Sequence, residues 1–315
     1  MPESVSIKHR CEYALLRSII FFINLLPVPL ILSLSTLLGG IAWLLYPFRL
    51  DVAHANLSTV FPQLASGQKM RLLRRTYLQF ARTFGLVFIL HRQHMLKLIA
   101  QAENAGLATL HAALAEGKGV ILTTYHGCWF EAYFAWFNLT DLPTTLIYQK
   151  QSNPLSDAFF IAQRQRYGTS LEHLHSHAGM QEFQEALSRN RILIISLDQS
   201  YTHRGTEITF FDRPLKCAKG TAMLHLRTGA PVLTSFYYMK DGKLHIDFDR
   251  VELPTYDQIN EENIQDITNR SIRKYEGLIR QYPEQWFSLF HRLWTKTGYR
   301  KVRRSFRELL GSFLP

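Results

Sequence analysis

A histidine and a glutamate stand five positions apart in the segment Thr123-Thr124-Tyr125-His126-Gly127-Cys128-Trp129-Phe130-Glu131. On one continuous helix their side chains would point about 140° apart. They meet only if His126 lies in the turn before a helix and Glu131 in its first turns. Gly127 eases such a turn. The carboxylate then accepts the imidazole Nδ1–H, fixes the tautomer and leaves Nε2 as a base. No well-placed serine accompanies the pair, so the nucleophile must come from a substrate. A hydroxyl fits: His126 takes its proton as it attacks an acyl carbonyl, and N–H groups at the helix start face the oxyanion. Cys128 offers a rival, a Cys–His nucleophile that forms an acyl-enzyme. The plainer reading of Cys128, which we favour, is a small buried residue at a helix start.

Further candidates surround this pair. Asp198 ends an apolar run, either as a loop cap or as a group that orients the site. Arg164, Arg166, Arg204, Lys216 and Lys219 fall near predicted strand ends or in loops, where they can bind an anion or simply face water. His173, His175 and His177 alternate and on a strand would share a face, yet they are predicted between helices, and no metal is expected. Trp129, Phe130, Tyr133, Phe134, Trp136 and Phe137 make an aromatic helix, mostly core, with some members free to line a slot for an acyl chain.

The elements that must position these residues alternate. Helices are predicted over 104–116, 128–138, 154–167, 178–189, 217–228 and 261–281. Strands are predicted over 119–124, 144–148, 192–197, 231–239 and 243–249, the last two joined at Asp241-Gly242. Such alternation implies an α/β fold with a mixed, largely parallel sheet flanked by helices, and sites at the carboxyl ends of its strands. Residues 51–103 are expected to pack on this core as helices.

No charged residue lies between Arg17 and Arg49, and Pro27 and Pro29 interrupt the apolar stretch. Its length suits membrane attachment, as one kinked span or as a pair of short helices that dips into the bilayer. Basic residues flank it on both sides, which favours the dip on a cytoplasmic face. Arg292, Lys296, Arg300, Lys301, Arg303, Arg304 and Arg307 alternate with apolar residues in a basic amphipathic pattern. The expected organisation is therefore an anchor at 1–50, a helical region at 51–103, an α/β core at 104–291 and a basic amphipathic helix at 292–315.

Composition agrees with an anionic partner: 36 basic against 25 acidic side chains leave a net charge of +11. At 47% hydrophobic and 19% charged residues, intrinsic disorder is excluded. Cys11, Cys128 and Cys217 are too few and too scattered for a disulfide framework. No nucleic-acid recognition motif is present, so the charge points to lipid or phosphate and not to nucleic acid.

Taken together, several blocks in order make the chain resemble the lipid A late acyltransferases, the lauroyl- and myristoyl-type transferases of the lysophospholipid acyltransferase superfamily. They are Ala53-His54-Ala55-Asn56-Leu57 with Phe61-Pro62, Gly117-Lys118-Gly119-Val120-Ile121-Leu122 before the histidine box, and Tyr148 with Asn153-Pro154-Leu155 and Asp157. Then come Leu197-Asp198-Gln199, Phe210-Phe211 with Lys219-Gly220, Pro283-Glu284-Gln285-Trp286, and His291-Arg292 with Trp294. The resemblance implies a glycerolphosphate-acyltransferase-like fold and acyl transfer from an acyl carrier protein thioester to a hydroxyl of a lipid A precursor. It implies the cytoplasmic face of a bacterial inner membrane, with anionic membrane lipids as neighbours and no cofactor. His126 would be the base and Glu131 its orienter. The family often has Arg after the tyrosine of the second block. Here Gln149-Lys150 follow, so Lys150 is the candidate anion contact, with Asn153, Arg164, Asp198, Arg204 and Lys219 as further candidate substrate contacts. The same mechanism on a lysophospholipid or another glycolipid, or a non-catalytic lipid-binding protein, are the alternatives.

Overall fold

The computed structural model describes residues 5–45, 48–168, 170–201 and 205–294. Arg204 and nearly all of the C-terminal basic segment therefore lie outside the described residues.

The sheet is built from short β-branched runs. β1 (Val120–Thr124) is buried along its whole length, as a strand covered on both faces must be. Val120 and Leu122 pack with Ile192 and Ile194 on one face, whereas Ile121 packs with Leu193 on the other. β2 (Thr144–Tyr148), β3 (Leu171–His175), β4 (Ile192–Ser196), β7 (Val232–Lys240) and β8 (Lys243–Arg250) complete a six-stranded sheet among the described residues. Its order is β3-β2-β4-β1-β7-β8, parallel except for β8, which forms the expected hairpin with β7. Asp241 and Gly242 both adopt positive φ at that turn, as a tight hairpin requires.

Helices cover both faces, as expected. α6 (Leu107–Ala115) precedes β1, and α7 (Phe130–Leu139), α8 (Pro154–Gln165) and α9 (Met180–Ser188) connect the strands. α10 (Gly220–Thr228) and α11 (Glu261–Gln281) follow. Three strands were not foreseen. β3 carries a polar sequence, Leu-Glu-His-Leu-His. The ribbon of β5 (Thr206–Phe210) and β6 (Arg213–Cys217) turns at Phe211 and Asp212, both at positive φ, without the glycine or asparagine that usually announces a hairpin. His173 and His175 thus lie on a strand between α8 and α9, beside Tyr148 of β2.

The front of the chain forms α1 (Ile7–Leu25) and α2 (Val28–Leu45), separated at Leu26-Pro27, then α3 (Leu50–Val60), α4 (Ser66–Val87) and α5 (Gln93–Ala100). α1 lies on α8 and α2 along α4. Three carbonyls at the end of α1 accept hydrogen bonds from the Arg92 guanidinium, which satisfies groups a helix end leaves bare. α2 is long and apolar enough to cross a membrane, and 11% of it is buried.

Small residues let α2 and α4 touch. A Cβ on Gly39 would stand 2.5 Å from that of Ala81, and one on Gly85 2.1 Å from Ser35 Oγ. Gly85→Val should therefore cost about 1–3 kcal/mol by overpacking. Gly40, with nothing within 4 Å, should accept valine without loss. Thermal melts of the two variants in one detergent check the contrast.

Candidate active site

β1 and β4 run parallel with Thr124 opposite Ser196. Two residues further on, at the carboxyl edge, each strand delivers a functional side chain: His126 from one and Asp198 from the other. His126 Nδ1 lies 2.6 Å from Asp198 Oδ1, and the His126 backbone N–H donates to the same carboxylate at 3.0 Å. Asp198 is fully buried, and the Trp286 indole N–H donates to its other oxygen at 2.8 Å. Burial alone would raise the Asp198 pKa. The charge of His126 and the hydrogen bonds from His126 and Trp286 outweigh it and hold the carboxyl below its ordinary value. An ionised acceptor at Nδ1 keeps the proton there and leaves Nε2 as the basic nitrogen.

Glu131 does not perform that role. Its carboxylate turns towards α8 and takes a bidentate grip from Arg164, Nε to Oε2 at 2.9 Å and Nη2 to Oε1 at 2.6 Å. The expected His126–Glu131 contact is replaced by two separate pairs. The reason is the register: Asp198 reaches the His126 turn from the neighbouring strand, whereas Glu131 sits within α7, which packs against α8. Arg164 also lies 5.2 Å from the Phe134 ring centroid. Burial disfavours its charge, and Glu131 more than restores it.

The C-terminal segment braces the histidine turn. Cys128 N–H donates to Gln285 O, and Phe287 N–H donates to His126 O. Tyr237 accepts from Gly127 N–H at 2.9 Å and donates to Tyr125 O at 2.7 Å. Gly127 has no positive φ. It is needed for space, because a Cβ there would stand 2.8 Å from the Tyr237 ring. The amides of residues 126–128 are thus all engaged and are not free to face a substrate oxygen. The N–H groups left without intrahelical partners are those of the first turn of α7. Asn56 explains its own motif: buried between α3 and the C-terminal segment, it donates to Leu289 O and His291 O.

His126 opens onto a cleft of about 470 Å³. Phe84, Phe88, Phe130, Phe134, Phe160 and Ile161 supply much of its apolar wall, and Glu131, Asp157, Arg164, Gln199 and His291 its polar points. The His291 ring stacks against His126 with centroids 6.4 Å apart. Burial, and then the charge of His126, lower the His291 pKa. Trp136, Tyr133 and Phe137 of the aromatic helix are core, whereas Phe130 and Phe134 face the cleft.

The remaining candidates are dispersed. Asn153 is buried and committed: its oxygen caps α8 through Leu155 N–H, and its amide donates to His9 O and Glu12 Oε2. It ties α1 to α8 and does not line the cleft. Lys219 pairs with Glu261 at the start of α11 and does not line the cleft. Lys150 is exposed between Gln149 and Gln151, two cleft residues. Arg204 lies outside the described residues. Cys128 is buried, and burial pushes its thiol up to about 12, which makes it a poor nucleophile. Trp286, Tyr237 and His291 were the functional residues without an assigned role. Trp286 and His291 stood in recognised blocks, but nothing in the chain announced Tyr237.

His173 adds a pH dependence. Burial, then Arg164, lowers its pKa to about 4, below the 6.5 of a free imidazole. Between these values the unfolded chain binds the extra proton, so stability present above pH 6.5 should drain away as pH falls towards 4. His173→Gln should flatten that slope in denaturation curves taken at successive pH values.

A family model described as bacterial lipid A biosynthesis acyltransferase matches residues 4–296. A lipid A biosynthesis acyltransferase of Haemophilus influenzae is 30% identical over 37% of this chain and 36% of its own length. A phosphatidylinositol mannoside acyltransferase of Mycobacterium tuberculosis is 28% identical over 48% of each chain. The chain thus spans about half or less of the length of the curated relatives it matches.

Proposed function

Since the chain belongs to the bacterial lipid A biosynthesis acyltransferase family, we propose that it is a membrane-attached O-acyltransferase with His126 as general base and Asp198 as the residue that orients it. The donor is an acyl carrier protein thioester, and the acceptor is a hydroxyl of a phosphorylated glycolipid of the lipid A precursor type. His126 Nε2 takes the hydroxyl proton as the oxygen attacks the thioester carbonyl. Asp198 stabilises the imidazolium so formed. The tetrahedral oxyanion faces the first-turn amides of α7, next to Phe130 in the cleft wall. Collapse expels the carrier thiolate, which recovers the proton from His126. The acyl chain lies along the phenylalanine wall. No cofactor is required.

The observation that carries this reading is the His126–Asp198 pair at the mouth of an apolar cleft. Membrane attachment rests on α1 and α2, whose Leu15, Phe21, Phe22, Leu37, Leu38 and Leu44 are all exposed. Arg82, on α4, donates to Thr36 in the middle of α2. A transverse α2 would carry that cation into the bilayer, so α1 and α2 (the 1–50 anchor) lie in the interface on the cytoplasmic face. The mycobacterial relatives support a second reading, in which the acceptor is a mannosylated glycolipid.

The test gives detergent-solubilised protein an acyl carrier protein thioester and one acceptor at a time: a tetra-acylated lipid A precursor, a phosphatidylinositol mannoside and a lysophospholipid. Mass spectrometry should show one added acyl chain on the first. Addition to the second alone moves the assignment to the mannoside, and addition to none of them rejects the proposal. Cys128→Ala should keep full transfer.

A further inference from the structure

α8 presents two different faces. One lines the cleft through Asp157, Phe160, Ile161 and Arg164. The other forms, with α1, a separate groove of about 280 Å³ walled by Tyr13, Arg17, Leu155, Phe159, Gln163 and Arg166. Arg17 is held there by aromatic rings: its guanidinium lies 5.3 Å from the Phe159 ring centroid and 5.9 Å from that of Tyr13, and it donates to the Tyr13 hydroxyl. Among the described residues neither Arg17 nor Arg166 has an ion-pair partner. The acid of α1 nearest in sequence, Glu12, is taken by Lys8 and Asn153. His91 adds to the same field, since burial and then the charges of Arg166 and Arg92 lower its pKa.

Two cations on one groove repel each other unless an anion sits between them. Their place along the chain says which anion. Arg17 is the last charge before the uncharged stretch that runs to Arg49, and exposed Leu15, Phe21 and Phe22 lie on the same helix. A cation at that boundary sits at headgroup level when the apolar residues enter the acyl layer. The groove joins the two chemistries, cations beside the apolar surface of Leu155 and Phe159. We infer that the α1–α8 groove is a binding site for one anionic phospholipid of the bilayer, its phosphate between Arg17 and Arg166 and its upper acyl region on Leu155 and Phe159. The site is distinct from the cleft, on the other face of α8, and fixes the enzyme's tilt on the membrane. The inference rests on the membrane-attached reading above.

The test titrates the full-length protein in neutral detergent with phosphatidylglycerol, phosphatidylcholine or inorganic phosphate, and native mass spectrometry counts what is bound. One phosphatidylglycerol should bind ahead of phosphatidylcholine. Arg17→Gln/Arg166→Gln should weaken that binding about 25-fold, from roughly fivefold per cation, and leave the circular dichroism unchanged. Lys97→Gln/Lys118→Gln, which removes the same charge elsewhere, should leave binding intact. Equal affinity for the two lipids, wild-type phosphatidylglycerol binding by the arginine double variant, or displacement of the lipid by millimolar inorganic phosphate each overturns the inference. His126→Ala separates the two readings: a wild type inactive on every acceptor, with phosphatidylglycerol bound by both proteins, rejects the enzymatic proposal alone. A wild type that binds no lipid rejects both the attachment and this site.

Discussion

Asp198→Asn should slow acyl transfer by about 10³- to 10⁴-fold and leave the fold intact. The asparagine can still accept from the Trp286 indole, so the local packing survives. Its amide, however, donates where the carboxylate accepted. His126 Nδ1 then becomes the acceptor, the proton moves to Nε2, and the base is lost. No charge remains to stabilise an imidazolium. The loss should appear in kcat at saturating acceptor, with KM little changed, because Asp198 is fully buried and does not line the cleft. Activity close to wild type in this variant would return the orienting role to another residue.

Glu131→Gln should act differently, through stability. It strands the Arg164 guanidinium, whose side chain is 13% exposed, without its counter-charge. Breaking a buried pair from one side costs about 3–5 kcal/mol. Removing both charges together in Glu131→Gln/Arg164→Met should recover most of that loss, because a well-packed apolar residue avoids the desolvation cost altogether. Chemical denaturation of the single and double variants reads the difference. A double variant as unstable as the single would mean that Glu131 is held by something other than Arg164. The contrast with Asp198→Asn separates the roles proposed for the two acids, support of the base for Asp198 and the hold of α7 on α8 for Glu131.

Much of this arrangement was legible in the chain. The apolar runs at β1, β2 and β4 marked themselves as buried strands, and the amphipathic pattern of α11 matched its observed span, Glu261–Gln281. His126 was legible as a candidate because a histidine after a buried strand and before a helix stands at a sheet edge. Its partner was not. Spacing along the chain favoured Glu131, five residues away, whereas the true neighbour, Asp198, comes from a strand some seventy residues on, brought close by the pairing of Thr124 with Ser196. Which strand pairs with β1 is a non-local property that the spacing around His126 does not contain. Asn153 and Lys219 misled for a related reason. A polar residue at a motif position is as useful to a helix cap or a surface ion pair as to a substrate, and only the contacts tell these apart. Trp286 was visible as part of a block, but its role depends on where the C-terminal segment folds back.

The most direct test of the central claim, that this cleft transfers acyl groups with His126 as its base, is a single-turnover comparison of wild type and His126→Ala. Both would receive acyl carrier protein thioester and the tetra-acylated lipid A precursor, with the product followed by mass. Loss of a general base predicts a rate about 10²- to 10⁴-fold lower for His126→Ala, with carrier binding and the circular dichroism spectrum unchanged, although the melting temperature should fall because the buried Asp198 loses its Nδ1 partner. Equal rates in the two proteins would contradict the account and place the chemistry elsewhere in the molecule.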